Sequence, residues 1–314
     1  MSQLSFLSIT QNKKTLKCEK FLNEMSKVIP WKEICQIISP FYSKGELGRK
    51  PMPMILMLKI YCLQQWYQLS DPGMEEAIYD RNSFQKFLNI DLFGDKVPDE
   101  TTILHFRHLL EKYNLTKKIF DLISSHLAKK GFLLKEGTIV DATIIHSPSS
   151  TKNKDKKRDK EMGSTCKNKK WFFGMKAHIG VDYKSGLVHN VEFTSASVHD
   201  RECFPSLLHG RENAVFGDKG YFSDKDKHYA RDANVFWGVL DKGKRGNPLS
   251  NKQKKRNKKL SSIRAKVEHP FQIIKHLWGY SKTRYRGIEK NASQLLMMFA
   301  LANIFKVRKK LLAI

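Results

Sequence analysis

Apolar positions recur with two different periods along this chain, and the change of period divides it near residue 130. Before that point they recur every three or four positions, which is typical of amphipathic helices. Helices are predicted at residues 51–69, 71–88, from residue 98 onward, and at 115–129. In the second of these, Asp71 suits the N-cap and Pro72 suits the first helical position. Residues 1–130 are therefore predicted to form an all-helical domain.

From residue 131 the pattern becomes that of strands. A β-branched apolar run indicates a buried strand, and alternating segments around a turn at 184–186 indicate a hairpin. The predicted strands are residues 137–145, 172–183, 187–195, 214–221 and 235–240. Short helices are predicted at residues 200–209 and 223–232. This order predicts an α/β fold with a mixed sheet and flanking helices, preceded by the all-helical N-terminal domain.

Two basic stretches, residues 147–170 and 242–259, interrupt the second region. They lack apolar periodicity, so they are predicted to be mobile loops. One interpretation is that they only solubilise the chain. The other follows from their position, because the first comes directly after Asp141 and the second precedes the segment that contains Glu268. There they would neutralise phosphate groups at a catalytic site.

The charge of the chain is strongly unbalanced, with 57 Lys and Arg against 31 Asp and Glu and a formal net charge of +26. Such an excess favours binding to nucleic acid or to an anionic membrane surface, although a solvated basic face is the simpler alternative. The apolar stretches at 52–62 and 292–307 are too short or too interrupted for a membrane span. Nucleic acid is therefore the predicted partner, with no membrane association.

The five cysteines are scattered and form no C-x-x-C pair, which argues against a zinc site. An odd number of cysteines fits a reducing compartment, and residues 1–6 lack the features of a secretory signal. We therefore expect a cytoplasmic protein.

Three acidic residues stand out as candidate metal ligands. Asp141 and Asp218 each end an apolar run, and Glu268 lies in a helical pattern. Each Asp taken alone could be a strand-end cap. Together, three carboxylates supply the hard oxygen ligands that Mg²⁺ prefers, and divalent ions can activate the nucleophile and stabilise the leaving oxygen in phosphodiester cleavage. The sequence therefore predicts a metal-dependent phosphoryl-transfer site made of Asp141, Asp218 and Glu268.

Glu268 has basic neighbours at helical spacing. Arg264 lies four residues before it and Lys275 seven after it, so all three would share one helix face. That arrangement suits a metal ligand between two phosphate contacts. An ordinary ion pair between Arg264 and Glu268 is the alternative. Pro270 predicts a late start or a kink in this helix.

Several of these segments resemble the DDE transposases of bacterial insertion sequences, specifically the insertion-sequence-five family. They are residues 140–143 (VDAT), 171–178 (WFFGMKAH) and 217–221 (GDKGY), and a C-terminal signature of Tyr, Arg, Glu and Lys. Arg264, Glu268 and Lys275 match that signature, whereas Ser261 stands where the family has Tyr. The N-terminal helices are also similar to the helical domain of that family.

The resemblance implies a ribonuclease-H-like catalytic domain over residues 131–314, with Asp141, Asp218 and Glu268 binding Mg²⁺ or, as a substitute, Mn²⁺. It implies a bacterial, nucleoid-associated enzyme that cuts at the terminal inverted repeats of an insertion sequence. The freed 3′-hydroxyl ends then attack target DNA. Pairing of two element ends implies a homodimer on DNA. Arg264 and Lys275 are expected to hold DNA phosphates.

Other DNA contacts are predicted from position alone. The helical domain, residues 1–130, is similar to a helix-turn-helix, in which Arg107 and His105 would face DNA. Lys219 lies in the segment around Asp218. Lys176 and His178 would face DNA from their strand, or serve as cross-strand structural residues.

The remaining expectations are local. Asp200 is predicted to be an N-cap, and His146 a candidate for proton transfer. Trp171 and the two Phe residues after it could stack on a flipped base, but core packing is favoured. Residues 295–305 belong either to the core or to an interface. Two alternative functions stay open: a non-catalytic DNA-binding repressor derived from a transposase, and a metal-dependent nuclease without strand transfer.

Overall fold

The computed structural model describes residues 15–43, 45, 50–152, 154, 156–243 and 246–314. Within these residues the N-terminal region is helical, as predicted. Its helices are α1 (Lys17–Val28), α2 (Trp31–Ile38), α3 (Met54–Tyr67), α4 (Asp71–Asp80), α5 (Asn82–Leu88), α6 (Glu100–Lys112) and α7 (Leu115–Lys129). The part of the predicted helical domain before residue 15 lies outside the described residues.

The segment predicted as one helix from 71 to 88 is two helices. Arg81 separates α4 from α5 because its backbone is extended, with φ −107° and ψ 101°. The predicted N-cap was also wrong by one residue. Ser70 caps α4, its hydroxyl accepting the amide of Gly73, whereas Asp71 is the first helical residue. The carboxylate of Asp71 is thereby left for tertiary contacts.

A mixed sheet follows, with helices around it. Its strands are β1 (Gly137–His146), β2 (Gly163–Lys167), β3 (Lys170–Asp182), β4 (Val188–Ser195), β5 (Ala214–Gly217) and β6 (Phe236–Val239). β1 lies between β3, which is antiparallel to it, and β5, which is parallel to it. β4 pairs with β3 and β6 with β5, so the order β4-β3-β1-β5-β6 confirms the mixed α/β sheet and the ribonuclease-H-like arrangement.

Both basic stretches contain regular structure that the sequence analysis did not predict. β2 lies in the first and forms a hairpin with β3. In the second, residues 251–264 form helix α9 (Asn251–Arg264). Its start is stabilised by a capping box between Ser250 and Gln253. Lysine and arginine have good intrinsic helix propensity, so a run of them need not be a loop once capped and docked.

The other helices are α8 (Asp224–Asp232), α10 (Glu268–Gln272) and α11 (Ile288–Leu311). The predicted helix at 200–209 consists of two 3₁₀ turns, Asp200–Cys203 and Pro205–Leu207. α11 is buried along most of its length and packs against α1, α7 and β4. Residues 295–305 are therefore part of the core, and one apolar cluster extends from the N-terminal helices to the sheet.

Asn303 fixes α11 to the sheet. Its side-chain amide donates to the carbonyl of Val188 at 2.7 Å, and its oxygen accepts the amide of Val188 at 2.9 Å. The polar residue that interrupts the apolar stretch is thus hydrogen-bonded to the start of β4. Among the described residues, no helix is long and apolar enough to span a bilayer.

Candidate active site

Asp141 and Asp218 lie on neighbouring parallel strands. β1 and β5 pair with Ile139 opposite Phe216, and the same register places residue 141 opposite residue 218. Parallel neighbours are about 4.8 Å apart. β5 ends at Gly217, so Asp218 stands just beyond its carboxyl end, a common position for functional side chains in α/β sheets.

Each aspartate is oriented by the backbone that follows it. The amide of Ala142 donates to Asp141 Oδ1 at 2.9 Å, and the amide of Lys219 donates to Asp218 Oδ1 at 2.7 Å. Asp218 therefore also caps the 3₁₀ turn Lys219–Tyr221, where the predicted strand 214–221 stops early. A capping role for these aspartates was the alternative to metal binding. The two roles are compatible, because only one oxygen of each carboxylate accepts a hydrogen bond from the following backbone amide.

Glu268 reaches the same place from an irregular helical segment. α9 ends at Arg264, a 3₁₀ turn follows at Ala265–Val267, and α10 begins at Glu268. A π-helical turn, Ile273–Leu277, then carries Lys275. The expected continuous helix face is therefore interrupted on both sides of Glu268. The expected new start near Pro270 is confirmed, since α10 begins two residues before that proline.

One cavity of about 530 Å³ is lined by the three candidate carboxylates and the two candidate phosphate contacts. These five residues are Asp141, Asp218, Glu268, Arg264 and Lys275. Thr143, Lys167, Gln272 and His276 also line it and were missed. Thr143 could have been found from the two-residue period of β1, which puts it on the same face as Asp141. Lys167 could not, because it lies in a strand hidden within the basic stretch.

Arg264 bridges two of the three carboxylates. Its Nη1 lies 3.4 Å from Asp141 Oδ2, and its Nη2 lies 3.8 Å from Glu268 Oε1. The ion pair considered as an alternative is therefore present, but it is shared with a residue 123 positions away. The guanidinium places a positive charge where two anionic groups face each other.

Burial raises the pKa of Asp141 to about 6, against the opposing effect of Arg264. Glu268 and Asp218 raise the pKa of Asp141 further, because their negative charges are close to it. A site that crowds carboxylates in this way favours a cation, which relieves the repulsion.

Lys275 is directed at β1. Its ammonium donates to the hydroxyl of Thr143 at 2.7 Å and to the carbonyl of Ile144 at 2.6 Å. Burial lowers the pKa of Lys275 to about 8, and nearby Lys167 lowers it further whereas Glu268 raises it. Lys275 thus lies in the cavity with the carboxylates.

A smaller recess of about 210 Å³ adjoins the cavity and shares Asp141 and Asp218 with it. Here Lys176 Nζ lies 2.9 Å from Asp200 Oδ1 and donates to the carbonyl of Val198. The prediction that Asp200 is an N-cap was wrong, since His199 occupies the cap and Asp200 forms this ion pair. Lys176 is 9% exposed and lines this recess, so a DNA contact by Lys176 would have to be made inside the recess.

Arg107 does not lie where the helix-turn-helix interpretation requires. It is 6% exposed and forms ion pairs with Asp71 and Glu111 at 3.1 and 3.0 Å. Its guanidinium also lies 4.3 Å from the ring centre of Tyr285. The expectation that Arg107 faces DNA is corrected, because its two terminal nitrogens hold carboxylates in the interior. His105, on the opposite side of α6, is exposed.

His178 is a structural residue in this fold. It is fully buried, and its Nε2 is hydrogen-bonded to the hydroxyl of Thr194 at 2.8 Å. Burial lowers the pKa of His178 to about 4. The cross-strand alternative is thus the one that the structure supports.

The three aromatic residues at 171–173, which follow the turn between β2 and β3, lie in different environments. The ring of Phe172 lies 5.2 Å from that of His146, and Phe173 packs against the core. The favoured core packing was wrong for Trp171, which is 75% exposed. Lys219 is exposed beside Asp218, as a DNA contact would require.

The donor set suits a divalent ion of the Mg²⁺ type by its chemistry, since it consists of carboxylate oxygens crowded at one cavity. Among the described residues, however, the three carboxylates do not form a closed coordination cage as placed. Asp141, Asp218 and Glu268 are the residues that would hold the ion.

A ribonuclease-H-like sheet with one carboxylate within β1, one just beyond the end of β5 and one on a following helical segment defines the class of metal-dependent enzymes that cleave and transfer nucleic-acid strands. Within that class, residues 133–304 match the model of the family described as Transposase DDE domain, and residues 10–109 match that described as Transposase domain (DUF772). The chain belongs to the DDE transposase family and is a DNA transposase. DDE transposase domains generally use divalent metal ions.

Two solved structures are similar to the chain at low identity. One is the cryo-EM structure of the piggyBac transposase synaptic complex with hairpin DNA, with a TM-score of 0.44, 9% identity, and coverage of 94% of this chain and 75% of that chain. The other is the crystal structure of the Mos1 strand transfer complex, with a TM-score of 0.28, 14% identity, and coverage of 86% and 79%. The likeness is loose, so the family assignment rests on the family models.

Proposed function

We propose that this transposase belongs to the insertion-sequence-five family and acts on a bacterial insertion sequence. It cuts at the terminal inverted repeats and joins the 3′-hydroxyl ends to target DNA. Asp141, Asp218 and Glu268 hold Mg²⁺, for which Mn²⁺ can substitute. The observation that carries this assignment is the single cavity where all three carboxylates meet Arg264 and Lys275.

The bound metal supplies activation of the attacking oxygen and stabilisation of the leaving oxygen. The residues of the chain position the DNA. Lys275 and Lys167, which both line the cavity, neutralise the scissile phosphate, and Arg264 releases its carboxylates to contact a neighbouring phosphate. Lys176 keeps Asp200 paired beside Asp141 and Asp218, which limits the negative charge that the DNA meets.

Helix α9 provides a track for the DNA backbone. Leu260 is buried, and Arg256 fixes the helix to the sheet by donating to the carbonyls of Trp237 and Val239. Lys254, Lys255 and Lys258 project away from that docked face. Lys254 and Lys258 are four residues apart, so their charges repel each other and destabilise the helix unless a polyanion binds.

The proposal extends to assembly and location. Cutting and joining two element ends requires that both be held together, so we propose a homodimer on DNA. Since its substrate is chromosomal DNA, the protein would associate with the nucleoid.

The first experiment is cleavage of labelled DNA that carries the flanking element end. Wild type is compared with Asp141→Asn, Asp218→Asn and Glu268→Gln, with Mg²⁺ and with EDTA. We expect metal-dependent nicking at the 3′ end by the wild type only, and retained DNA binding in all three variants. The conservative changes preserve size, so loss of activity reports the loss of a negatively charged ligand.

Three outcomes contradict the proposal in whole or in part. DNA binding by the wild type without any nicking would identify a non-catalytic repressor. Nicking without joining to a second DNA would identify a nuclease. Nicking that survives Glu268→Gln would remove Glu268 from the ligand set.

A further inference from the structure

The β2–β3 hairpin has a well-defined turn and presents an exposed indole near the start of β3. Its two turn residues, Asn168 and Lys169, both have positive φ, 52° and 61°. Two-residue hairpin loops with two such residues match the twist of the flanking strands and hold them in register. The strands pair directly on both sides, with Lys167 opposite Lys170 and Cys166 opposite Trp171.

Trp171 is unusual among the tryptophans of the chain. It is 75% exposed, whereas Trp66, Trp237 and Trp278 are less than 10% exposed and Trp31 is half-buried. Within the described part of the chain, no aromatic ring packs against its indole. Exposure of so large an apolar surface is costly in water, which makes the side chain a candidate for a binding contact.

The neighbours of Trp171 are cationic. Lys167, Lys169 and Lys170 are all exposed, and no ion pair with a carboxylate engages them among the described residues. A second copy of this chain, with a net charge of +26, would be repelled from such a surface. A polyanion with exposed flat rings, which is DNA, fits both the lysines and the indole.

The hairpin is attached to the active site. Lys167 lines the cavity that holds the three carboxylates, and Cys166 lines the adjoining recess. Trp171 lies opposite Cys166, on the strand next to it, at an interstrand distance of about 4.8 Å. Since successive nucleotides rise about 3.4 Å along a strand, the indole is within a few nucleotides of a phosphate bound in the cavity.

We propose that Trp171 stacks on an unpaired base of the DNA strand whose phosphate occupies the catalytic cavity. The neighbouring lysines hold the phosphates on either side of that base. Trp171 then acts as a positioning residue that stabilises a locally opened duplex at the cleavage site. This inference rests on the proposed cleavage of DNA at that cavity, but the stacking can be measured without cleavage.

Fluorescence tests the stacking directly. Because the other tryptophans are buried or half-buried, acrylamide should quench mainly Trp171 in the free protein. Single-stranded oligo(dT), added in EDTA, should quench the emission of Trp171 and protect it from acrylamide. Both changes should disappear in Trp171→Phe, which keeps an aromatic ring but removes the indole signal. Unchanged emission and unchanged acrylamide quenching on DNA binding would overturn the proposal.

Cleavage tests the role of stacking in opening the duplex. Trp171→Ala should cut a fully paired element end about tenfold more slowly, because base stacking on an aromatic residue is worth that order of affinity. A mismatched base pair beside the cut should restore most of the rate. Trp171→Phe should retain most of the rate on both substrates.

Tyr229→Ala is the matched control. Tyr229 is 76% exposed on α8, a helix with mixed charges, and lines none of the site. It should leave cleavage and fluorescence changes as in the wild type. A purely structural role of Trp171 would lower the rate on paired and mismatched DNA equally.

The two proposals fail separately. Metal-dependent cleavage with equal rates for Trp171→Ala and Tyr229→Ala would overturn the stacking role and leave the catalytic assignment intact. DNA-dependent quenching of Trp171 without cleavage by the wild type would leave the stacking contact and overturn the catalytic assignment.

Discussion

Replacing Arg107 by leucine distinguishes a residue of the interior from a DNA contact. The guanidinium holds two carboxylates, those of Asp71 and Glu111, whose side chains are 18% and 13% exposed. Arg107→Leu keeps most of the side-chain volume and leaves both carboxylates without their cation. Removing one partner of a buried ion pair costs about 3–5 kcal/mol.

The structure places the expected loss at the low end of that range. Asp71 retains a hydrogen bond from the side-chain amide of Gln64 at 2.8 Å, so one of the two carboxylates remains partly satisfied. The contact between the guanidinium and the ring of Tyr285 is also lost, which adds about 0.5–1 kcal/mol. We expect the free energy of unfolding to fall by about 3–4 kcal/mol.

Urea unfolding monitored by circular dichroism measures this change, and DNA affinity is measured on the folded variant at low temperature. His105→Ala is the control, because His105 is exposed on the same helix and its loss should change stability by less than about 0.5 kcal/mol. We expect Arg107→Leu to bind DNA as the wild type does. A stability loss below about 1 kcal/mol together with a tenfold loss of affinity would refute the buried-pair reasoning and restore the DNA-contact interpretation.

Three further predictions concern the framework of the site. The pKa of His178 is lowered to about 4 in the folded state, so the unfolded chain binds a proton that the folded chain does not between pH 6.5 and 4. Stability should therefore fall as pH falls through this window, and His178→Asn should reduce the slope of urea midpoint against pH; an unchanged slope would contradict this. Asn303→Leu should lower the free energy of unfolding by about 3 kcal/mol, because the amide and carbonyl of Val188 lose their partners, and a change below about 1 kcal/mol in urea unfolding would argue against it. Gly174→Ala should cost about 1–3 kcal/mol in the same assay, since the added Cβ would lie 2.0 Å from the carbonyl oxygen of Ile145, whereas Gly94→Ala, with open space around it, should be nearly neutral.

Periodicity along the chain predicted the helical N-terminal region, the strands of the sheet and their α/β order. These features depend on which face of each element is apolar, and that information is local. The carboxylates at 141, 218 and 268 were singled out from local context, since Asp141 and Asp218 end apolar runs and Glu268 lies in a helical pattern beside basic residues; β1 in fact continues beyond Asp141 to His146. The family models match the same regions, at residues 10–109 and 133–304.

Capping and docking decided what periodicity could not. α9 has one buried residue, so its lysines give no apolar stripe, and the helix depends on the capping box at Ser250 and on Arg256. Trp171 was expected in the core because its type is usually buried, but its strand extends past the edge of the core. Sequence spacing also does not reveal the tertiary partner of a charged side chain. Arg107 is buried only because the fold places Asp71 and Tyr285 beside it.

The sequence by itself determined most of the helices and strands, the α/β class and the choice of three candidate acidic residues, because each leaves a signal within a few positions. Only the tertiary structure decided that these acids share one cavity, that Arg264 joins two of them, and that Trp171 stands exposed on a hairpin beside Lys167. Those relations join residues up to 123 positions apart. They arise from strand register and helix docking, in which the free energy of the whole core, rather than local preference, selects the arrangement.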